Sequence, residues 1–210
     1  MQKEIQQMIV GPIQTNCYIL SDPKTKEAIV IDPGAEADRI AREIRKKGLS
    51  VIAYLLTHAH WDHIDGLSDL KSEFPAPVYI SEKEKETLEN PAINMSLPLG
   101  GQEKTYQADI FLKDGEDVTL KSFYFRCIST PGHTPGGACY YFPQEKILFS
   151  GDSLFCGSIG RTDGVKGSMA DLVRALREKV LILPEQTLVL PGHGPETDIR
   201  QEEASNMYLM

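Results

Sequence analysis

Apolar residues recur along the chain with two spacings, which together predict a mixed α/β fold. Short runs rich in β-branched and aromatic residues are typical of strands, and apolar residues three or four positions apart are typical of helices. In the first half of the chain, strands are predicted near residues 4–10, 16–20, 27–31, 51–56 and 77–80. Helices are predicted over 36–47, ending before Gly48, over 64–70, and after the capping-box signal Ser81–Glu84.

The second half repeats this alternation with more strands. They are predicted near residues 110–113, 117–120, 123–128, 137–142, 146–149 and 187–190. Ser168–Asp171 has the spacing of a helix cap, and a final helix is predicted from about Thr197. Residues 90–107 have no clear period and are expected to form an irregular flap. A chain of 210 residues with 41% apolar content can bury one substantial core, so we expect a single domain over residues 1–210.

Composition narrows the classes of protein to consider. The net charge of −8 disfavours a surface for nucleic acid, which would need clustered lysine and arginine. The chain has no apolar run of 18 residues and no export signal, so we expect a cytoplasmic protein that does not bind a membrane. The four cysteines lie far apart without a Cys-x-x-Cys motif, which predicts neither disulfides nor a thiolate zinc cluster. For Cys156, the alternatives are that it lines a pocket close to Asp152 or, as we expect, that it is buried as a small hydrophobe.

All five histidines fall in segments suited to metal binding, and three lie in His58-Ala-His60-Trp-Asp62-His63 directly after the predicted strand 51–56. Imidazole and carboxylate are common ligands of divalent transition metals. Side chains two positions apart on an extended backbone point the same way, as at His58 and His60, whereas Asp62 and His63 lie past the turn. Four side chains this near to one another in the sequence cannot easily coordinate a single tetrahedral ion. The spacing therefore predicts two ions, with the first pair on one and the second pair on the other.

Further candidate ligands follow other predicted strands. They are His133 in Thr130-Pro-Gly-His-Thr-Pro-Gly136, Asp152 in Ser150-Gly-Asp-Ser153, and His193 in Leu190-Pro-Gly-His-Gly194. Each adjoins glycine, which permits the close backbone approach that a crowded ligand loop needs. Each taken alone is also compatible with an ordinary turn at the end of a strand. Their shared context with the hexapeptide favours metal binding.

The four motifs, in this order, resemble those of the metallo-β-lactamase superfamily. Asn16–Leu20 and Ile31–Gly34 also match its early strands, so the resemblance spans roughly residues 9–206. It implies a four-layer αββα sandwich and a dinuclear metal site. The ligands that it implies are His58, His60 and His133 for the first ion, Asp62, His63 and His193 for the second, and Asp152 as a bridge between them. Asp32 resembles an aspartate that supports the site from behind, and the alternative for Asp32 is a plain Asp-Pro-Gly turn.

Within the superfamily, the runs Gly151–Asp163 and Gly192–Thr197 are most similar to the glyoxalase II-like hydroxyacylglutathione hydrolases, in a short form without the helical C-terminal domain. This resemblance implies hydrolysis of a small-molecule thioester, such as a glutathione derivative, by a metal-bound hydroxide. Asp62 would orient the water or carry its proton. Zinc is the expected metal, and iron and manganese suit the same ligands. Arg161 would either pair with a substrate carboxylate or be solvated.

Other functions stay open on the sequence. Mononuclear iron persulfide dioxygenases are similar in the metal motifs and in the stretch Gly160–Asp163. A lactonase-type hydrolase would use the same ligands, because one scaffold of this kind hosts many reactions. A non-catalytic metal-binding module is a further alternative, although a closed structural site would leave no open coordination position.

Overall fold

A computed structural model describes residues 3–210 and confirms the mixed α/β fold. The described chain has two six-stranded sheets, a two-stranded hairpin and flanking helices. It divides into two compact units. Unit 1 comprises residues 3–80 and 85–111, and unit 2 comprises Ser81–Glu84 and Leu112–Met210. The single domain over residues 1–210 stays a prediction.

The sheet of unit 1 combines an antiparallel and a parallel part. Its strands, in spatial order, are β1 (Glu4–Val10), β2 (Thr15–Ser21), β3 (Glu27–Ile31), β4 (Ser50–Leu55), β5 (Val78–Ser81) and β6 (Ile110–Leu112). The β1–β2–β3 part is antiparallel, whereas β3, β4 and β5 run parallel. Parallel neighbours need a crossover connection, which α1 (Ala37–Lys47) supplies between β3 and β4. Ile40 and Ile44 of α1 are fully buried in the core of this unit.

Two further helices follow β4. They are α2 (Trp61–Ile64) and α3 (Leu67–Glu73), and after β5 a 3-10 turn (Glu82–Glu84) leads into α4 (Lys85–Glu89). The predicted helix over 64–70 was therefore wrong at its start. The amide of Asp65 donates to the carbonyl of Trp61 at 2.9 Å, so Asp62 and His63 lie on a helical turn rather than in a loop.

The sheet of unit 2 is antiparallel except for one parallel pair. Its strands, in spatial order, are β14 (Thr197–Asp198), β13 (Leu188–Pro191), β10 (Ile147–Gly151), β9 (Ala138–Phe142), β8 (Phe123–Ser129) and β7 (Asp117–Leu120). The parallel pair is β10 with β13. A separate hairpin joins β11 (Leu154–Phe155) to β12 (Ser158–Ile159). The helices of unit 2 are α5 (Met169–Ala175), which continues into a π-helical turn (Leu176–Val180), and α6 (Ile199–Ser205).

The other differences from the predicted elements are local. The strands β11, β12 and β14 have two residues each, too few to produce an alternation that a sequence pattern can reveal. The last helix begins at Ile199 rather than at Thr197, because Asp198 caps it by accepting from the amide of Gln201 at 2.8 Å. The cap at Ser168 and the absence of regular structure over 90–107 are confirmed.

The cysteines follow one prediction and contradict another. All four are free thiols in the structure, and Cys17, Cys127 and Cys139 are buried. Burial raises the pKa of the Cys127 thiol to about 12. The expectation that Cys156 is buried was wrong, because this residue lies exposed at the turn of the β11–β12 hairpin. Within residues 3–210, no helix has both the length and the apolar character needed to cross a bilayer.

Candidate metal centre

The hexapeptide brings its histidines together in unit 1. His58 and His63 are buried, while His60 and Asp62 are half-buried. The ring centroid of His58 lies 4.8 Å from that of His60 and 4.1 Å from that of His63. The Asp62 Oδ2 atom lies 3.3 Å from His63 Nε2. We call these residues, His58, His60, Asp62 and His63, the compact ligand set.

Asp32 lies behind the compact ligand set. Ile31 at the end of β3 pairs with Leu55 at the end of β4, so the segments that follow both strands leave the same edge of the sheet. The buried Asp32 carboxylate accepts from the Thr57 amide at 2.8 Å and from Thr57 Oγ1 at 2.6 Å. It also lies 2.9 Å from His63 Nδ1. An ionised carboxylate only accepts, so Nδ1 of His63 carries the hydrogen, and Nε2, on the side of Asp62, is the acceptor nitrogen of the ring.

Thr57 extends this support to a second histidine. Its Oγ1 atom lies 3.2 Å from His58 Nδ1. Because the hydroxyl hydrogen is given to Asp32, the same oxygen accepts from His58 Nδ1–H. Asp32 also has the left-handed backbone of a turn, with φ 49°. The structure thus shows both features that the sequence offered as alternatives for Asp32: a turn and a carboxylate bonded to a candidate ligand.

Two residues that sequence reasoning missed hold Asp62. Thr15, the buried first residue of β2, donates its hydroxyl hydrogen to Asp62 Oδ2 at 2.8 Å. Gly34 lies so close to the α2 turn that a Cβ atom there would overlap the backbone carbonyl oxygen of Asp62. The Asp-Pro-Gly signal could have indicated a tight approach at Gly34. Nothing in the sequence distinguishes Thr15 from any other strand-initiating threonine.

Unit 2 brings the three remaining candidates together around one carboxylate. Asp152 Oδ2 lies 3.5 Å from His133 Nε2 and 3.7 Å from His193 Nε2. Asp152 and His193 follow the parallel strands β10 and β13, so they leave the sheet at the same edge. His133 follows β8, which is separated from β10 by two antiparallel pairings and therefore runs in the same direction. We call these residues, His133, Asp152 and His193, the dispersed ligand set.

Main-chain atoms support the dispersed ligand set. His133 Nδ1 lies 2.7 Å from the carbonyl oxygen of Arg161, which accepts its hydrogen and leaves Nε2 on the side of Asp152. A Cβ atom at Gly160 would overlap the carbonyl oxygen of Asp152 and come within 3.3 Å of His133 Cβ. The Thr130 and Ser153 hydroxyls, 2.6 Å apart, join the two loops that carry these ligands.

The side chain of Arg161 is exposed and paired with Asp163. Its guanidinium makes two hydrogen bonds to the Asp163 carboxylate, at 3.0 and 2.8 Å, and the side chain is 84% exposed. These hydrogen bonds hold the pKa of the Asp163 carboxyl below its usual range. The contact that Arg161 does make with His133 uses its carbonyl group. No sequence signal could have indicated this, because every residue has a carbonyl.

Both ligand sets have the chemistry of a site for divalent transition metals. In each set an imidazole is fixed through Nδ1 and presents Nε2 within 3.3 to 3.5 Å of a carboxylate oxygen. Imidazole and carboxylate suit zinc, iron and manganese alike.

A family model of the metallo-β-lactamase superfamily matches residues 10–193. The chain belongs to the metallo-β-lactamase superfamily. The fold of this superfamily implies binding of divalent metal, in agreement with the donor atoms of both ligand sets. The predicted fold type is confirmed by a solved structure, the BLEG-1 B3 metallo-β-lactamase. It has a TM-score of 0.94 and 42% identity, and the match covers 99% of this chain and 100% of that one.

Other similar proteins differ in what their names say. The probable metallo-hydrolase YqgX of Bacillus subtilis (strain 168) is 42% identical over 96% of this chain and 95% of its own length. The hydroxyacylglutathione hydrolase GloC of Haemophilus influenzae is 37% identical, with 95% of each chain covered. TTHA1623, solved in a di-iron-bound form, has a TM-score of 0.85 and 32% identity, with 97% of this chain and 100% of that chain covered.

Proposed function

We propose that the chain is a metal-dependent hydrolase that cleaves thioesters of the hydroxyacylglutathione class. The observation that carries the metal-dependent part is the pre-orientation of two histidines. His63 and His133 each give their Nδ1 hydrogen to a protein oxygen, and each has Nε2 beside a carboxylate. Such outer contacts fix the tautomer and ring orientation of a metal-binding imidazole. Similarity to GloC supports the thioester substrate.

The proposed centre would hold two divalent ions, for which zinc is our first candidate. His58, His60 and His133 would hold one ion, Asp62, His63 and His193 would hold the other, and Asp152 would contribute to both. Iron deserves equal testing, because the similar TTHA1623 was solved with two iron ions. When bound, divalent ions lower the pKa of coordinated water and polarise the carbonyl oxygen of a bound ester.

In the proposed reaction, Asp62 orients the attacking water and accepts its proton on the carboxylate. Its side chain is 14% exposed, so water can reach it, and the Thr15 hydroxyl holds its Oδ2 atom in one direction. A carboxylate fixed in this way is suited to general-base work because its orientation is set before the substrate binds. The substrate carbonyl carbon receives the water oxygen, and the carbon–sulfur bond breaks. The sulfur leaves as a thiolate, which is a good leaving group and takes a proton from solvent, and Asp62 returns to solvent the proton that it accepted.

The test is hydrolysis of S-lactoylglutathione by purified protein whose bound metals have been counted. We expect thiol release with two divalent ions per chain, and loss of both metal and thiol release in His58→Ala. Protein that carries one iron, consumes oxygen with glutathione persulfide and leaves S-lactoylglutathione intact would be a persulfide dioxygenase instead. Protein that retains two ions but cleaves a lactone rather than the thioester would be a lactonase-type hydrolase.

A second candidate function is hydrolysis of a β-lactam amide. It is favoured by the 42% identity to BLEG-1, whose name describes it as a metallo-β-lactamase. The same arrangement of water and carboxylate would serve, but the leaving group would be an amine that needs a proton as the carbon–nitrogen bond breaks. A chromogenic cephalosporin assayed beside S-lactoylglutathione decides between them. The substrate that wild-type protein hydrolyses with the higher kcat/KM identifies the activity, provided that His58→Ala abolishes this hydrolysis.

A further inference from the structure

The buried carboxylate of Glu202 has no part in the proposed reaction. It lies on α6 with no exposed surface, and it is not a member of either ligand set. A carboxylate removed from water is costly unless hydrogen bonds replace its solvation. Here the donors are the Thr197 hydroxyl and the Asn206 side-chain amide, each at 2.7 Å, and the main-chain amide of Gly157 at 3.0 to 3.1 Å.

The contact with Gly157 connects α6 to the β11–β12 hairpin. Gly157 has φ 69° at the turn of this hairpin, and the Asn206 amide also donates to the carbonyl of Ser158 at 3.1 Å. Gln201 adds a contact between its amide and Cys156 Sγ at 3.4 Å. The hairpin itself has only two paired positions on each strand. Leu154 and Ile159 anchor the two strands in the buried core of unit 2, and the contacts from α6 hold the turn between them.

This hairpin lies within the segment that supports the dispersed ligand set. Asp152 stands just before β11, and Gly160, just after β12, packs against the main chain of Asp152. Arg161 follows, and its carbonyl oxygen accepts from His133 Nδ1 at 2.7 Å. The ring of Phe155 in β11 has its centroid 6.3 Å from that of His193. The short segment from Asp152 to Arg161 therefore touches every member of the set.

We propose that Glu202 is a positioning residue for metal binding. It fixes the turn of the β11–β12 hairpin, and the hairpin in turn holds Asp152, His133 and His193 in the orientation that binds metal. The proposal rests on the proposed metal-dependent function but not on any particular substrate. The charge of Glu202 matters because a neutral amide cannot accept from all of its present donors. In Glu202→Gln, the NH2 group faces the donors of Asn206 and Gly157 in one orientation, and in the other it replaces the oxygen that accepts from Thr197.

The experiment measures metal binding rather than turnover. Zn²⁺ affinity is determined by competition with a chromophoric chelator, and Co²⁺ bound to the same protein gives a visible absorption spectrum that reports coordination geometry. We expect Glu202→Gln to lower the metal affinity of the folded protein by about tenfold, the lower end of the range for residues that support a ligand. We also expect its Co²⁺ spectrum to change. The matched control is Glu203→Gln, which removes the same charge from an exposed neighbour on α6 and should leave both readouts unchanged.

Two further measurements separate positioning from stability. Circular dichroism of the metal-free variant, taken well below its unfolding temperature, establishes that the compared proteins are folded. A folded Glu202→Gln with wild-type affinity and a wild-type Co²⁺ spectrum would overturn the proposal. If this variant does not fold, Thr197→Val removes one donor to the same carboxylate without changing side-chain shape, and unchanged metal binding there overturns the proposal equally. Wild-type protein that binds metal but cleaves no thioester would refute the substrate and leave this inference standing.

Discussion

The two ligand sets present similar donor atoms but are supported in different ways. The compact set comes from one hexapeptide, and side chains support it: Asp32 for His63, Thr57 for His58 and Thr15 for Asp62. The dispersed set comes from the ends of three strands. A main-chain carbonyl, that of Arg161, accepts from His133, and the set lies beside a hairpin that Glu202 of α6 holds at its turn. A close glycine is common to both sets, Gly34 at Asp62 and Gly160 at Asp152.

This difference follows from how each set is connected. Ligands within one hexapeptide already have their relative positions restricted by the chain, so the fold needs only to orient each ring. Ligands on separate loops must also be held at the correct distance from one another, and contacts between main chains do this because they move least. The comparison predicts that the compact set is more sensitive to loss of side-chain hydrogen bonds to its members, and the dispersed set to changes in how the segment from Asp152 to Arg161 is packed, including the hairpin that Glu202 holds.

The largest effect is expected from removing a ligand in either set. His58→Ala and His193→Ala should each lose metal and activity by more than the roughly 10 to 100-fold that loss of a supporting residue costs. Metal content and thiol release measured on the same sample check this. Full metal occupancy in either variant would remove that residue from the proposed centre, and its whole set would then need to be reassigned.

Asp32→Asn should come next, because this carboxylate contacts Thr57 and His63 together. The amide keeps the shape but puts a donor where the native group only accepts. In one orientation its NH2 group faces the Thr57 amide, and in the other it faces the Thr57 hydroxyl and His63 Nδ1. We expect metal affinity to fall by about 10 to 100-fold, as for other outer-shell partners of metal ligands. Chelator competition measures it. Asp38→Asn, at an exposed position on α1, is the control for loss of a charge in the same unit. Equal metal affinity in Asp32→Asn and wild type would mean that Asp32 acts only as a turn residue.

Two glycine substitutions test the role of backbone packing in each set. Gly34→Ala would overlap the main chain of Asp62, and Gly160→Ala would overlap that of Asp152. Each should cost about 1–3 kcal/mol of stability, the usual cost of forcing extra atoms into a packed region. Gly160→Ala should weaken metal binding more, since His133 is packed against the same position. Thermal unfolding and metal affinity are compared with Gly164→Ala, where an added Cβ meets open space. A larger metal defect in Gly34→Ala would contradict the comparison.

Thr15→Val should have a smaller effect that is confined to Asp62. It removes a buried hydrogen bond to a charged group, which is typically worth about 1.5–3 kcal/mol. We expect kcat to fall by about tenfold or more with KM little changed, because Asp62 acts on water rather than on the substrate. Thr15→Ser keeps the hydroxyl and should recover most of the rate. Loss of activity in both variants would mean that the methyl group, through packing, matters more than the hydrogen bond.

The smallest effect on metal binding is expected for Arg161→Ala. The carbonyl that holds His133 stays, while the exposed pair with Asp163 is lost. Stability should change by less than about 0.5 kcal/mol, as at other exposed positions, and metal affinity should match wild type. A raised KM for the glutathione thioester would favour the predicted contact with a substrate carboxylate. Weaker metal binding would show instead that the side chain, and not only the main chain, supports the dispersed set.

The sequence predicted much of the fold and many of the candidate ligands. Long strands such as β1 and β3 were predicted at their observed bounds because alternation and residue type agree there. Where the element has two residues, as in β11, β12 and β14, a pattern cannot form. The start of α2 was missed because a helix of four residues is too short to show a helical period.

The sequence by itself determined which donor atoms the chain offers, because ligand chemistry is a property of side-chain identity. It also predicted that each set follows the ends of strands, because the strands before these residues have clear patterns. The tertiary structure decided what holds them. Thr15 reaches Asp62 across 47 positions, and Glu202 reaches Gly157 across 45. Such partners are selected by strand register and by the crossing of loops, not by local pattern. A supporting carbonyl or amide of the main chain, moreover, is present at nearly every residue and becomes specific only when the fold brings it to a ligand.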